Sequence, residues 1–194
     1  MSRDRDSKWV NQSLRGDKRA FGMLVEQYQS SALSIALKLM RHRQESEDVL
    51  QESFIKAYKN LHRFDTTLKF STWLFRIVTN QCIDRLRAKK TAVKMESAEI
   101  DRMEWIIDRN PTPEQYMIQH ETKKQTEQLI AALPPSYRAV VILRYERGLA
   151  IQEIADILEI PLNTAKTRIH RAREIMRAKV TSRTSETGGE PNAL

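Results

Sequence analysis

Apolar residues recur at the spacing of helical turns along most of the chain, and no stretch of useful length alternates apolar and polar residues. The chain contains only five glycines and six prolines, so helix breakers are few. We therefore predict an all-α protein. The first half is predicted to hold four helices, at about Asp6–Arg15, Asp17–Arg41, Ser46–Leu61 and Ser71–Lys90, with Gly16 and Asp17 separating the first two and a polar loop at His62–Phe70.

The composition changes between Thr91 and Glu121, where seven acidic residues stand beside three basic ones. The breakers in "RNPTPEQ" fall in the same segment, and both features are typical of a linker. We therefore predict two small helical domains joined by an acidic linker. Residues 1–90 form the first domain, 91–112 the linker, 113–180 the second domain, and 181–194 a disordered polar tail.

The second domain is predicted to contain four helices, the last two joined by a tight turn. The first runs from about Pro113 to Ala132, and the second starts at Pro135 and stops at Gly148. The third, "AIQEIADILEI", ends before Pro161, and the fourth is capped by Asn163 or a neighbour and runs to about Val180. Two short helices joined by a tight turn, the second strongly basic, form the helix-turn-helix pattern.

The last helix has an apolar stripe and a basic face on opposite sides. Ala165, Ile169, Ala172 and Met176 form the stripe, which is predicted to pack on the third helix. Residues 160–179 hold six Lys or Arg and one acid, Glu174, whereas a solvated face usually mixes signs. We predict that the basic face binds DNA, at base edges and at phosphates. The candidate residues are Asn163, Lys166, Thr167, Arg168, His170, Arg171 and Arg173.

For His170 taken singly, surface decoration and base contact remain equally open.

The segment "SEDVLQESFIKAYKNL" carries two different faces. Its predicted core stripe is Leu50, Phe54, Ala57, Tyr58 and Leu61. The opposite face, which we call the acidic face, consists of Asp48, Gln51, Glu52 and Ile55. In a basic protein this face fits a protein contact with one apolar centre, but it also fits a solvated surface with a stray Ile.

The segment "KFSTWLFRIVTN" combines aromatic and basic residues. Phe70, Trp73, Leu74, Ile77 and Val78 are predicted to be core, since a Trp at helical spacing is most often buried. Aromatics amid bases also suit single-stranded nucleic acid, where bases stack or flip. The surrounding bases are Lys69, Arg76, Arg85, Arg87, Lys89 and Lys90.

Composition narrows the function further. The net charge of +8 and the pI near 9.7 favour a polyanionic partner. No apolar run is long enough for a transmembrane helix, and the start "MSRDRDSKWV" is not a secretory signal, so we expect a cytoplasmic protein. One cysteine and scattered histidines give no metal-ligand cluster. Without a Gly-rich phosphate loop or a nucleophile motif, we expect no catalytic residues, no cofactor, no metal and no small-molecule substrate.

Three ordered segments resemble the successive signatures of bacterial sigma factors. They are "ESEDVLQESFIKAYKNL", "FSTWLFRIVTNQCIDRLR" and "LPPSYRAVVILRYERGLAIQEIADILEIPLNTAKTRIHRARE". The resemblance is narrower to the extracytoplasmic function (ECF) group of the sigma-70 family, which keeps two domains, and it covers about Gly16 to Lys179. It implies a subunit that binds core RNA polymerase and directs it to promoters. The alternative, a stand-alone helix-turn-helix regulator of duplex DNA, leaves the acidic face, the acidic linker and the aromatic-basic first domain unexplained.

The resemblance also implies roles for particular residues. Asp48, Gln51 and Glu52, with Ile55 beside them, match the surface that binds the clamp coiled coil of the largest polymerase subunit, and the polymerase flap is a further expected contact. The last helix matches the reader of the −35 element. The loop and helix from His62 match the part that captures a flipped base of the −10 element. The −10 candidates are Lys69, Arg76, Asn80, Arg85 and Arg87.

Three further expectations come with the resemblance. The acidic linker is expected to thread the RNA path of the polymerase. A membrane-anchored anti-sigma factor is a possible partner. The turn before the last helix reads Asn163-Thr164-Ala165, where this group commonly has Gly-Thr-Val, so the base preference stays open.

Overall fold

The computed structural model describes residues 2–96 and 125–187, which are built from helices and connecting turns without a strand. The first part, which we call the first domain, contains α1 (Ser2–Leu14), α2 (Lys18–Met40), α3 (Arg43–Asn60), a 3₁₀ turn (Leu61–Arg63) and α4 (Phe70–Glu96). The second domain contains α5 (125–131), α6 (Pro135–Val141) with a π-helical continuation (Ile142–Glu146), α7 (Ile151–Leu158) and α8 (Leu162–Thr187). The predicted all-α fold is confirmed.

The junction between α1 and α2 follows the predicted chemistry. Gly16 adopts a left-handed φ of +96°, which a glycine reaches without steric cost. The Asp17 side chain accepts hydrogen bonds from the backbone N–H groups of Arg19 (2.9 Å) and Ala20 (3.4 Å), so it caps α2. Helix α1 begins at Ser2, four residues before the predicted start at Asp6.

Two helices run further than predicted. Helix α4 continues past Lys90 to Glu96, and α8 continues past Val180 to Thr187. Neither extension contains Gly or Pro, and polar residues alone do not end a helix. Asn163 is the second residue of α8 and therefore lies inside the helix. The rest of the predicted linker, the predicted start at Pro113 and residues 188–194 lie outside the described residues.

The core of the first domain lies between α2, α3 and α4. Fully buried members include Leu24, Ile35 and Leu39 of α2 and Phe70 and Leu74 of α4. On α3 the prediction for Tyr58 was wrong, because its side chain is 41% exposed and its ring lies at the edge of the core, in an edge-to-face contact with the Phe21 ring at 4.9 Å. The buried residues of α3 also include Ser46, Val49 and Ser53, which the predicted stripe did not contain.

The two domains share one continuous core. Buried residues at the end of α2, such as Leu39 and Met40, belong to the same apolar cluster as Ile142 and Leu143 of the second domain. Arg138 of α6, which is only 4% exposed, donates to the carbonyl oxygen of Leu39 at 2.7 Å. The last carbonyls of a helix lack partners within the helix, so this guanidinium satisfies the end of α2 across the domain boundary.

Candidate nucleic-acid interface

Helix α8 presents its predicted DNA face to solvent and its apolar stripe to the core. Ala165, Ile169 and Ala172 are buried, at 0%, 7% and 0% exposure, and they lie toward α6 and α7. On the other side, the side chains of Asn163, Lys166, Thr167, His170, Arg171 and Arg173 are exposed. Arg168 is partly buried, which fits its position at the flank of the stripe.

Several side chains of this face are held by neighbours. The Thr167 hydroxyl donates to the Asn163 carbonyl oxygen at 2.9 Å, and His170 Nδ1 lies 3.5 Å from a Glu174 carboxylate oxygen. Arg173 donates to the Tyr145 hydroxyl and lies 5.4 Å from the centre of the Tyr145 ring. Such a cation–π contact directs the guanidinium toward the flank of the face.

The loop before α4 is fixed by aromatic residues at its base. The Phe64 ring lies 5.8 Å from Phe70 and 5.1 Å from Trp73, which is itself partly buried. Within the loop, the Asp65 carboxylate accepts hydrogen bonds from the Thr67 hydroxyl (2.7 Å) and the Thr67 N–H (2.9 Å), and these bonds lower the pKa of Asp65. The loop is therefore a defined turn, closed by a hydrogen bond from the N–H of the exposed Leu68 to the Asp65 carbonyl oxygen at 3.0 Å.

A cavity of about 310 Å³ opens beneath this loop. Its walls combine aromatic rings, hydroxyl groups and one carboxylate, from Asp6, Ser7, Val10, Tyr28, Phe64, Thr66, Leu68, Lys69, Phe70 and Ser71. The Tyr28 hydroxyl donates to one oxygen of Asp6, and the other Asp6 oxygen is buried without a hydrogen-bond partner. The cavity has the aromatic and polar character of a pocket for a planar polar group such as a nucleobase.

Helix α4 divides the predicted −10 residues between two sides. Arg76, Asn80 and Arg87 fall on one face at 3.6 residues per turn, whereas Arg85 comes nine residues after Arg76, about two and a half turns, and lies opposite. Arg85 donates to a Glu52 carboxylate oxygen on α3 at 2.9 Å. The predicted set therefore does not form one surface, and Arg85 belongs to the α3 side.

The second domain contacts three of these residues, of which Lys69 and Arg76 remain exposed. Lys69 lies 2.8 Å from a Glu153 oxygen, Arg76 pairs with Glu159, and the Asn80 amide donates to Glu159 at 3.2 Å. Hydrogen bonds from Lys69 and from the Ala150 N–H lower the pKa of Glu153.

The acidic face of α3 is open to solvent. Asp48, Gln51, Glu52 and Ile55 are all exposed, and Ile55 is 55% exposed. Glu52 is tied to Arg85, so the acidic charge is partly balanced from α4. A single exposed apolar residue inside an acidic surface fits a docking site and also fits an ordinary solvated helix.

The sequence reasoning missed two groups of residues. One is the contribution of α1 to the cavity, by Asp6 and Ser7. The other is the pair of acids, Glu153 and Glu159, that contact the −10 candidates. The only signal for this pair was that residues 151–159 contain acids and no Lys or Arg, although the chain is basic overall. Within residues 2–96 and 125–187, no group of three or more metal-binding side chains occurs, and no helix is long and apolar enough to cross a membrane.

Comparisons with known proteins agree with these features. The model of sigma-70 region 2 matches residues 24–91, and that of sigma-70 region 4 matches residues 123–176. The ECF RNA polymerase sigma factor SigW of Bacillus subtilis is 38% identical over 89% of this chain and 95% of its own length. The RNA polymerase sigma-H factor of Pseudomonas aeruginosa is 35% identical over 90% of this chain and 93% of its own length.

Solved structures share the fold. CnrH, in complex with the cytosolic domain of CnrY, superposes with a TM-score of 0.67 at 24% identity, over 92% of this chain and 99% of that one. The sigma factor RpoE of Bartonella quintana, in complex with the anti-sigma factor NepR, gives 0.65 at 21% identity, over 83% of this chain and 96% of that one. With both sigma regions matched in order, the stand-alone regulator is not favoured. The chain belongs to the ECF group of RNA polymerase sigma factors, whose members direct RNA polymerase to promoters.

Proposed function

We propose that the chain recruits core RNA polymerase through the acidic face of α3 and reads a promoter through α4 and α8. The observation that supports the proposal is that α8 has one buried apolar side and one exposed basic side. Its small and apolar residues are buried against α6 and α7, so its basic side is the side that can enter a groove. The major groove admits a helix, and side chains from its N-terminal half then reach base edges.

On α8 we assign base reading to the first turns and phosphate contact to the later ones. Arg171 is the best base reader, because it is exposed and pairs with none of the residues that the structure describes, and Arg pairs bidentately with guanine. Arg173 is held by Tyr145 at the flank, and Arg177 lies further along the helix, so both suit phosphates. Thr167 and His170 lie on the same face as Arg171.

For the −10 element we propose Lys69, Arg76, Asn80 and Arg87 as the surface that holds the melted strand. The cavity beneath the loop is adjacent, since Lys69 contributes to its wall. A flipped base entering it would lie among Tyr28, Phe64 and Phe70, and stacking on aromatic rings is worth about 1–3 kcal/mol per base. We leave Arg85 out of this set because it is directed at Glu52.

An anti-sigma partner remains a proposal. The Bartonella sigma factor described above is bound to an anti-sigma factor, and this chain shares its fold. The acidic linker is predicted to pass through the RNA path of the polymerase. Its residues beyond Glu96 lie outside the described part of the chain, so this stays a prediction.

A −35 substitution library tests the assignment on α8. Holoenzymes with wild-type chain, Arg171→Ala and Arg177→Ala bind a promoter selected from genomic fragments, with every −35 position varied, at two salt concentrations. We expect Arg171→Ala to relax preference at one or two positions, by about 1–3 kcal/mol. Arg177→Ala, the matched control, should weaken binding evenly and reduce the salt slope by about one.

A uniform loss in both variants would make Arg171 a phosphate anchor. No change in either would remove α8 from the DNA interface.

A further inference from the structure

Helix α1 places an acid on its buried side. At 3.6 residues per turn, Asp6, Val10 and Ser13 share one face of the helix, and all three are buried. Only 6% of Asp6 is exposed, whereas an Asp is almost never fully buried unless it is paired. An apolar residue would pack at this position without the cost of removing a carboxylate from water. The packing of α1 alone therefore does not explain an acid here.

The Asp6 carboxylate has a hydrogen-bond partner at only one of its two oxygens. The Tyr28 hydroxyl donates to one oxygen, and the other has no partner among the described residues. A buried acceptor without a donor is costly, and most buried polar groups are hydrogen-bonded. Rotation about χ2 exchanges the two oxygens, so one acceptor remains whichever of them faces Tyr28.

This acceptor belongs to the wall of the cavity beneath the loop. Asp6 is the one acid among the described residues that line the cavity. Tyr28 joins the acidic part of the wall to the aromatic part, because its hydroxyl donates to Asp6 and its ring lies 5.6 Å from the ring of Phe70. A volume of about 310 Å³ is at the lower end of the range for ligand pockets, about 300–1,000 Å³, so the cavity suits one planar group.

The four bases differ in the group that they offer to a carboxylate. Cytosine and adenine carry an exocyclic amino group, N4–H₂ or N6–H₂, whereas thymine and guanine carry the carbonyl oxygens O4 and O6 at the corresponding place. A carboxylate accepts from the amino group, and it has no donor for a carbonyl oxygen. Guanine also offers N1–H and N2–H₂, but these two donors together need both carboxylate oxygens, and Tyr28 occupies one.

We infer that Asp6 is a specificity-determining residue, which selects a flipped −10 base that carries an amino group, cytosine or adenine, over thymine or guanine. The inference rests on the proposed function, since the cavity is the pocket to which we assign the flipped base. Phosphate contacts position a protein on DNA, and base contacts specify the sequence. Lys69 and Arg76 therefore hold the strand, while Asp6 of α1 reads the base.

The test measures how each holoenzyme distinguishes an amino group from a carbonyl oxygen. Duplexes of the selected promoter, premelted over the −10 element, carry cytosine or uracil, or adenine or hypoxanthine, at one −10 position at a time. The members of each pair share one ring system, and the amino group is exchanged for an oxygen. Fluorescence anisotropy gives the affinity for each duplex. At one position we expect the wild type to bind the amino member at least about tenfold more tightly, because it loses a hydrogen bond to a charged group with the other member.

Asp6→Asn is the test variant. It keeps the shape of the side chain and an oxygen for the Tyr28 hydroxyl, but its amide can donate as well as accept. We expect the amino-to-oxygen preference to fall to within about twofold of unity. Since both affinities come from the same protein preparation, a loss of folded protein affects them alike and leaves their ratio unchanged.

Two further variants are controls. Asp4→Asn makes the same charge change at an exposed position of α1 and should keep the wild-type preference. Tyr28→Phe removes the hydrogen bond to Asp6 and leaves the carboxylate, so it should also keep the preference, whatever it does to the total affinity. If Tyr28→Phe loses the preference as Asp6→Asn does, Asp6 acts only by holding Tyr28, and the inference is overturned.

The remaining outcomes separate this inference from the function on which it rests. An unchanged preference in Asp6→Asn would overturn the role of Asp6. Duplexes with an abasic site at each −10 position show whether a base is held at all. If one abasic site weakens wild-type binding while the amino and oxygen members bind alike, only the role of Asp6 fails. If no abasic site weakens binding, no base enters the cavity, and the −10 assignment fails together with the inference.

Discussion

Cys82 is the single cysteine of the chain and is fully buried on α4. Burial raises the pKa of its thiol to about 12, and the neighbouring Arg85 offsets only part of that effect. The thiolate is the reactive form, so a buried thiol with a raised pKa is inert. We expect Ellman's reagent to label the native protein at least about 100-fold more slowly than the unfolded protein, measured as thiolate release near pH 8.

The same shift predicts how stability depends on pH. The folded state holds the proton to about 12 and the unfolded state releases it near 9.0, so stability from this group is complete below 9 and falls as the pH rises toward 12. For a control protein without the thiol, Cys82→Ala is better than Cys82→Ser, because Ala keeps this core apolar. Rapid labelling of the native protein would mean that α4 opens locally near pH 8.

Helix α3 shows how much of one helix could be predicted from the sequence. The exposed acidic face followed from periodicity alone, because residues 48, 51, 52 and 55 share one side of a 3.6-residue helix. Tyr58 was misplaced because the same periodicity puts it near the edge of the apolar stripe, where ring size and hydroxyl polarity favour partial exposure. The salt bridge from Arg85 to Glu52 joins residues 33 positions apart, and no pattern within α3 predicts it.

Helix α3 also carries a prediction about polymerase binding. Asp48→Arg reverses a charge at an exposed position whose side chain pairs with no residue in the described part of the chain, so the free energy of unfolding should change by less than about 0.5 kcal/mol. If this face meets a basic polymerase surface, affinity for core polymerase should fall at least about tenfold, which is about 1.4 kcal/mol. Fluorescence anisotropy of the labelled chain titrated with core polymerase measures the loss.

Glu26→Arg is the matched control for this experiment. It makes the same charge change at an exposed position of α2 in the same domain. Equal affinity of the two variants for core polymerase would mean that the acidic face is a solvated surface, which is the alternative that the sequence left open. We avoid Glu52 as the test position, because its reversal would also repel Arg85 and mix two effects.

At the scale of the whole molecule, the packing of one domain on the other was beyond sequence analysis. The helices of each domain could be predicted from periodicity. The packing of one domain on the other involves pairs such as Lys38–Glu146 and Lys69–Glu153, whose members are 108 and 84 positions apart. An exposed pair such as Lys69–Glu153 contributes about 0.2–1 kcal/mol, and neither pair leaves a mark in local composition. The sequence showed which residues are basic and acidic, but not which of them meet.

Arg138 joins the two domains through a buried contact. Its guanidinium donates to Leu39 across the boundary and, within the second domain, to the carbonyl oxygens of Ala131 (2.8 Å) and Leu133 (2.9 Å). Burial and the nearby Arg41 lower its pKa to about 10, which still leaves it charged at neutral pH. One side chain thus satisfies three carbonyl oxygens, one in the first domain and two in the second, which a smaller or apolar residue cannot do.

Arg138→Leu should therefore affect both domains. Each buried carbonyl left without a partner costs about 1–3 kcal/mol, so we expect a loss of more than about 3 kcal/mol in the free energy of unfolding. We also expect the wild type to unfold in one calorimetric transition and Arg138→Leu in two, because the shared contact that couples the domains is lost. Arg144→Leu is the control, since Arg144 donates only within the second domain, to the Leu149 carbonyl oxygen at 2.8 Å. It should destabilise the second domain without separating the transitions, and if the two variants melt alike, the coupling between the domains resides in the apolar cluster and not in Arg138.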